Sequence, residues 1–100
     1  MHFEVSVTEP ATDDLRSILD YWSQIDADLA SQIHAGIVGF IGSLRTSPFV
    51  GDIVRRTRKR VTRTARYKSY RIIYYVNEIE RTIEVLRIRH VKRRSLKSLE

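Results

Sequence analysis

Nine of the seventeen residues from 55 to 71 are basic: Arg55, Arg56, Arg58, Lys59, Arg60, Arg63, Arg66, Lys68 and Arg71. Arg87, Arg89, Lys92, Arg93, Arg94 and Lys97 carry the same charge toward the C-terminus. Cations at this density can neutralise phosphates by counterion release, with Tyr67, Tyr70 and Tyr75 placed to stack on bases. They can equally draw in an acidic protein segment and speed its association. His90 adds a side chain of the type that acts as a general base near neutral pH. The same charges also suit a merely solvated basic surface, and composition alone does not separate these uses.

Other chemistries are excluded at once. The chain has no cysteine, so it forms neither a disulfide framework nor a thiolate metal site. His2, His34 and His90 lie far apart and show no metal-ligand spacing, so neither a metal nor a cofactor is expected. The N-terminus lacks a basic n-region and a long apolar run, no stretch reaches membrane-spanning length, and a cytoplasmic location follows by default. With 100 residues, 42% hydrophobic and 30% charged, the chain reads as one globular domain over 1–100. Its net charge of +6 hides a segregation. Residues 1–54 hold two basic and eight acidic side chains, whereas 55–100 hold sixteen basic and four acidic ones. Such asymmetry points to nucleic acid, a membrane surface or an acidic protein as partner.

The elements that must position these groups follow from periodicity. Phe3, Val5 and Val7 alternate with Glu4 and Ser6, which predicts a half-buried strand over 2–7. Thr8 can cap a helix whose first turn holds Glu9 and Pro10. Leu15, Ile18, Leu19, Trp22 and Ile25 form its apolar stripe, and Asp13, Asp14, Arg16, Ser17 and Asp20 its polar face. Asp26 or Asp28 can cap a second helix carrying Leu29, Ile33, Ile37, Phe40/Ile41 and Leu44. Gly36, Gly39 and Gly42 inside it cost about 1 kcal/mol each, which predicts close approach along a seam of small residues. A phosphate-gripping loop would need a preceding strand and other spacing. Thr46-Ser47-Pro48 ends the helix, and residues 49–60 read as a loop leading into a strand.

From Val61 the pattern is β-like, and 69–76 and 82–90 form a hairpin around a polar turn at 77–81. The expected fold is α+β, in the order β-α-α-β-β-β: an antiparallel sheet of about four strands with two helices on one face. Pairing Val76 with Arg81 would set Tyr70, Ile72, Tyr74, Val76, Ile83 and Val85 on one face, with Arg87 and Arg89 toward one end. It would set Arg71, Ile73, Tyr75, Glu84, Leu86, Ile88 and His90 on the other, so that Arg71 and His90 share a groove. Arginines on such strands either pair with Glu80, Glu84 or the helical aspartates, or serve a ligand.

Two motifs carry a family resemblance that covers nearly the whole chain. One is Ala11-x-x-Asp14-Leu15-x-x-Ile18-x-x-Tyr21 in the first helix. The other is Tyr70-Arg71-Ile72-Ile73-Tyr74 followed by Ile83-Glu84-Val85-Leu86-Arg87-Ile88-Arg89-His90-x-x-Arg93. In order and spacing they resemble the ParE/RelE superfamily of toxins from type II toxin–antitoxin, or plasmid stabilisation, systems, whose fold has the same element order. The resemblance implies a toxin that arrests growth and forms a hetero-oligomer with an acidic antitoxin. ParE-like members inhibit DNA gyrase by binding, whereas RelE-like members cleave mRNA on the ribosome. Arg71 stands where the ribonucleases keep a phosphate-contacting arginine, but ParE-like chains often have arginine there too. The tail after His90 holds no aromatic residue, unlike the ribonucleases, and this favours the ParE-like branch. On that branch Arg58, Lys59, Arg60, Arg63, Arg71, Arg87, Arg89, His90 and Arg93 are the expected target-binding set, and Leu15, Ile18, Trp22, Tyr75 and Arg71 the antitoxin contacts. On the alternative branch Arg71, His90, Lys92 and Arg93 would surround a scissile phosphate.

Overall fold

Thr8 marks the switch from strand to helix. Its side chain accepts a hydrogen bond from the Ala11 N–H (3.3 Å) while its own hydroxyl donates to the Leu86 carbonyl (3.1 Å). A single residue thus caps the first helix and ties it to the last strand. In the computed structural model, which describes residues 2–58 and 60–93 and only the backbone of Arg93, the chain runs through seven strands and helices and a short terminal turn. These are β1 (Glu4–Val7), α1 (Glu9–Ser23), α2 (Ala27–Ser43), β2 (Asp52–Arg56), β3 (Val61–Tyr67), β4 (Tyr70–Asn77) and β5 (Thr82–His90), then a 3₁₀ turn at Val91–Arg93. Asp26, not Asp28, caps α2, accepting from the N–H groups of Asp28 and Leu29. Ile25, expected on the apolar stripe of α1, lies beyond the end of that helix and is exposed.

The sheet has five strands in the order β1-β5-β4-β3-β2, not about four. The extra strand is β2, inside the segment expected to be a loop. All five of its residues are exposed, so nothing obliges them to alternate. Its hold is on backbone pairing to β3, with a bulge between Ile53 and Arg55, and on the loop before it. The sheet is also mixed rather than antiparallel. The two-helix crossover returns the chain so that β1 lies parallel to β5, with Val5 beside Ile83 and Val7 beside Val85.

One sheet face and the helices share the core. Ile72, Tyr74, Val76, Ile83, Val85 and Ile88 meet Ala11, Ile37, Ile41 and Leu44. Burying a side chain of this size stabilises by about 1.5–3 kcal/mol, so this set dominates folding. Tyr74 is fully buried, and its hydroxyl donates to the Pro48 carbonyl and accepts from the Gly51 N–H, both at 2.9 Å. Arg63 adds bonds from its guanidinium to the carbonyls of Phe49 (3.3 Å) and Gly51 (2.7 Å). This knot holds the loop that launches β2. A Cβ on Gly51 would come within 2.7 Å of the Thr64 carbonyl oxygen, so only glycine lets the two backbones approach.

The hairpin pairs Asn77 with Thr82 and Val76 with Ile83, two residues away from the expected register. A shift of two preserves the faces, so the assignments near the turn stand. A bulge after Val85 then changes the parity: Ile73 opposes Arg87, Ile72 opposes Ile88, Arg71 opposes Arg89 and Tyr70 opposes His90. Ile88 and His90 therefore share the helix-covered face with Tyr70 and Ile72, and the expected groove joining Arg71 to His90 does not form.

The glycines of α2 are not one seam. A Cβ on Gly36 would collide with the Tyr67 hydroxyl, whereas Gly39 and Gly42 face open space. Gly39→Ala and Gly42→Ala should each stabilise by up to about 1 kcal/mol in denaturant titrations, and Gly36→Ala should destabilise because Tyr67, its ring packed at a tilt against Phe40, must move. Burial raises the Tyr74 hydroxyl pKa above 10.0, against lowering by the Gly51 N–H and Arg63. Its stabilisation is complete below pH 10.0 and falls as pH rises further, because the unfolded chain ionises first. Tyr74→Phe should therefore cost about 1–3 kcal/mol at neutral pH, with the deficit narrowing above pH 10. Urea titrations at several pH values would measure both.

Candidate functional site

β1 ends at Val7, so the second half of β5, paired with β4 on one side, has no strand on its other edge. Side chains from α1 take over. The Asp14 carboxylate accepts from the Ile88 N–H (2.9 Å) and from two guanidinium nitrogens of Arg87 (2.8 and 2.9 Å). This is a bidentate, charge-assisted contact. Its hydrogen bond to Asp14 raises the Arg87 pKa, with burial opposing, so the guanidinium keeps its charge. Arg87 is thereby committed to a helical aspartate, one of the pairings open to it from sequence. Asp14 itself was placed on the polar face of α1, yet its side chain is only 17% exposed and turns to the sheet. Its spacing from Ala11, Leu15, Ile18 and Trp22 is the signal that puts it on the inward stripe.

Next to this pair, α1 and the end of β5 enclose an open cleft of about 710 Å³. Ile18, Trp22, Tyr70 and Ile88 line it, with Arg89 and Lys92 at the rim. Trp22 donates from Nε1 to the Tyr70 hydroxyl (2.8 Å), and the Tyr70 ring meets His90 edge-to-face at 5.2 Å. The Lys92 N–H donates to Nδ1 of His90 (3.0 Å), which leaves the proton of the neutral ring on Nε2. Tyr21 and Ser17 are cleft residues that the sequence did not single out for binding, and Tyr70, expected as a stacking residue, lines the cleft with them.

The opposite sheet face presents a second arrangement. Arg66, Arg71 and Arg89 lie opposite one another on β3, β4 and β5, a row of like charges. Cross-strand repulsion makes such a row unfavourable without an anion. Arg66 donates from Nε to the Lys68 carbonyl (2.8 Å), and among the described residues no carboxylate pairs with any of the three. Guanidinium forks at strand spacing match phosphate or carboxylate oxygens.

The remaining expected residues divide. Arg60 stacks over the Tyr75 ring at 4.3 Å, and Arg58 lies beside it near the β4–β5 turn. Arg63 is spent on the loop carbonyls, which makes it an architectural residue. Of the expected antitoxin contacts, Ile18 and Trp22 share the cleft and Leu15 packs against the core nearby, while Arg71 and Tyr75 stand on the far sheet face. Lys59, the Arg93 side chain and the tail from Arg94 lie outside the described residues.

The sequence profile of the family described as "ParE toxin of type II toxin-antitoxin system, parDE" matches residues 5–94, which include both helices and all of β2–β5. The chain belongs to that family. No curated protein matches it significantly by sequence. Among solved structures it is similar to a chain of the RelBE2 toxin–antitoxin complex of Mycobacterium tuberculosis, with 27% identity and a TM-score of 0.68 over 90% of this chain and 99% of that one. It also resembles a chain of the chromosomal ParDE system of P. aeruginosa (20% identity, TM-score 0.69, 89% and 96% covered). A third likeness is to a chain of the archaeal RelE–RelB complex of Pyrococcus horikoshii OT3 (18%, 0.56, 93% and 99%). The protein is thus a type II toxin of the ParE/RelE superfamily. In this ParE-family chain Asp14 is the joint between helix and sheet. Asp14→Ala should cost about 1–3 kcal/mol in urea unfolding, and Asp14→Asn, which keeps an acceptor for the Ile88 N–H, less.

Proposed function

We propose that this toxin arrests growth by binding DNA gyrase, without phosphodiester chemistry, and that an acidic antitoxin neutralises it in a cytoplasmic hetero-oligomer. The observation that carries the non-catalytic reading is the separation of His90 from Arg66 and Arg71, the members of the row that do not reach the cleft. Arg66, Arg71 and Arg89 are aligned across one face, whereas His90 is turned to Tyr70 on the other, its Nδ1 occupied by the Lys92 N–H. RNA cleavage needs a proton-transfer group within hydrogen-bond reach of the reacting oxygen, about 2.6–3.2 Å. His90 and Arg71 do not converge on one such point. The arginine row instead offers a flat cationic surface to an acidic or nucleic-acid-bound region of a large enzyme.

The row is also the observation favouring the second reading, a ribosome-dependent mRNA endonuclease using Arg71, His90, Lys92 and Arg93. One culture separates the two. On induction without antitoxin, gyrase binding predicts relaxed or cleaved DNA with intact transcripts, and growth arrest that survives His90→Ala. Rapid transcript cleavage with normal supercoiling, lost in His90→Ala, would establish the endonuclease instead.

A further inference from the structure

β2 closes the sheet at the edge opposite β1, and its outer side meets no strand among the described residues. All five of its residues are exposed, so no helix covers it. Beyond the pairing with β3, the backbone of Asp52–Arg56 makes no hydrogen bond among the described residues. Outward N–H and C=O groups of this kind are a template for another strand. The segment is apolar as well: Phe49, Val50, Ile53 and Val54, four of the six residues from 49 to 54, are exposed. Asp52, Arg55 and Arg56 have no ion-pair partner among the described residues. Edges are commonly blunted by proline, by a bulge or by charges that repel a second strand. β2 has the bulge, but it holds no proline and its charges are of both signs.

The order of those charges decides between occupants. A symmetric antiparallel pair of identical strands places its two-fold axis at one residue, which faces its own copy. Centring the pair on Asp52, Arg55 or Arg56 sets like charges face to face, and centring it on Ile53 sets Asp52 against Val54. Centring it on Val54 sets each Asp52 opposite Arg56 and each Ile53 opposite Arg55. Val54 is also the residue that the β3 register passes over, between the pairs Ile53–Arg63 and Arg55–Thr62. The strand is thus complementary to itself in one register, and the matched charges occur twice in it.

We infer that β2 is a self-association edge: two copies of this chain pair antiparallel about Val54, with Asp52 of each copy beside Arg56 of the other. The two five-stranded sheets become one continuous sheet. Its two-fold axis stands perpendicular to the strands' plane, so both helical layers lie on one side. Both rows of Arg66, Arg71 and Arg89 then lie together on the other side, and the dimer presents twice the cationic surface of one chain. A five-residue strand pair covers little area, so the association is weak and depends on concentration.

Sedimentation velocity of the full-length chain over a wide range of concentration tests this, with the mass expected to move from one chain to two. Asp52→Arg and Arg56→Asp should each weaken association about tenfold, because the axis turns two matched pairs into two like-charged ones. Asp52→Arg and Arg56→Asp combined in one chain should restore it. An equimolar mixture of the two single variants should form heterodimers, since each offers the charge that the other lacks. Circular dichroism checks that these exposed substitutions leave the fold intact. A parent chain that stays monomeric throughout overturns the inference, as does a dimer that both single reversals leave unchanged. Slowed amide exchange in β2 on adding an antitoxin, with the chain alone monomeric, would give the edge to the antitoxin and overturn it equally.

Discussion

An unpaired stretch of β-strand backbone is the constraint around which this molecule is arranged. β5 is flanked by β1 only as far as Val85, and beyond that point its edge faces a helix rather than a strand. An amide left there without an acceptor would cost on the order of 1–3 kcal/mol. Thr8 and Asp14, the cap and the second turn of α1, supply what the missing strand would have supplied. The helix is therefore set against β5 by hydrogen bonds as well as by apolar packing. Arg87 completes the joint by neutralising the carboxylate that this solution brings into a partly buried place.

The bulge in β5 belongs to the same arrangement. Adding a residue between Val85 and Arg87 changes which side chains of the last half-strand face the helices. Ile88 goes into the core and His90 onto Tyr70, while Arg89 aligns with Arg71 and Arg66. A regular strand would have put the histidine on the same face as Arg71. One irregularity thus puts His90 and the aromatic cleft on one face and Arg66 and Arg71 on the other, with Arg89 at the boundary.

Much of this was legible in the sequence. The helices, the Thr8 cap, the central hairpin and the family motifs rest on local patterns that burial imposes. β2 was not legible, because an exposed edge strand has no apolar face and its hold comes from Arg63 and Tyr74, at a distance in the chain. The parallel pairing of β1 was missed because nothing in a strand names its neighbour. The hairpin was recognised but not its bulge: the carbonyls of Val85 and Leu86 both bond to Thr8, a tertiary cause with no signature in residues 82–90. The site was half visible for the same reason. Trp22 and Ile18 announced themselves by type and spacing, whereas Asp14 passed as a solvated acid, since its partner lies 73 residues away.

The strand order has a consequence for how such a chain comes into being. β5, the last strand in chain order among the described residues, lies between β1, the first, and β4. Neither β1 nor the helix behind it can dock until β5 is available, so the pairing of greatest sequence separation closes the fold. During synthesis the N-terminal half waits with its apolar stripes uncovered until β5 has left the ribosome. A nascent or truncated copy ending before residue 82 lacks the strand that organises both faces, so neither the cleft nor the arginine row exists until β5 has been made.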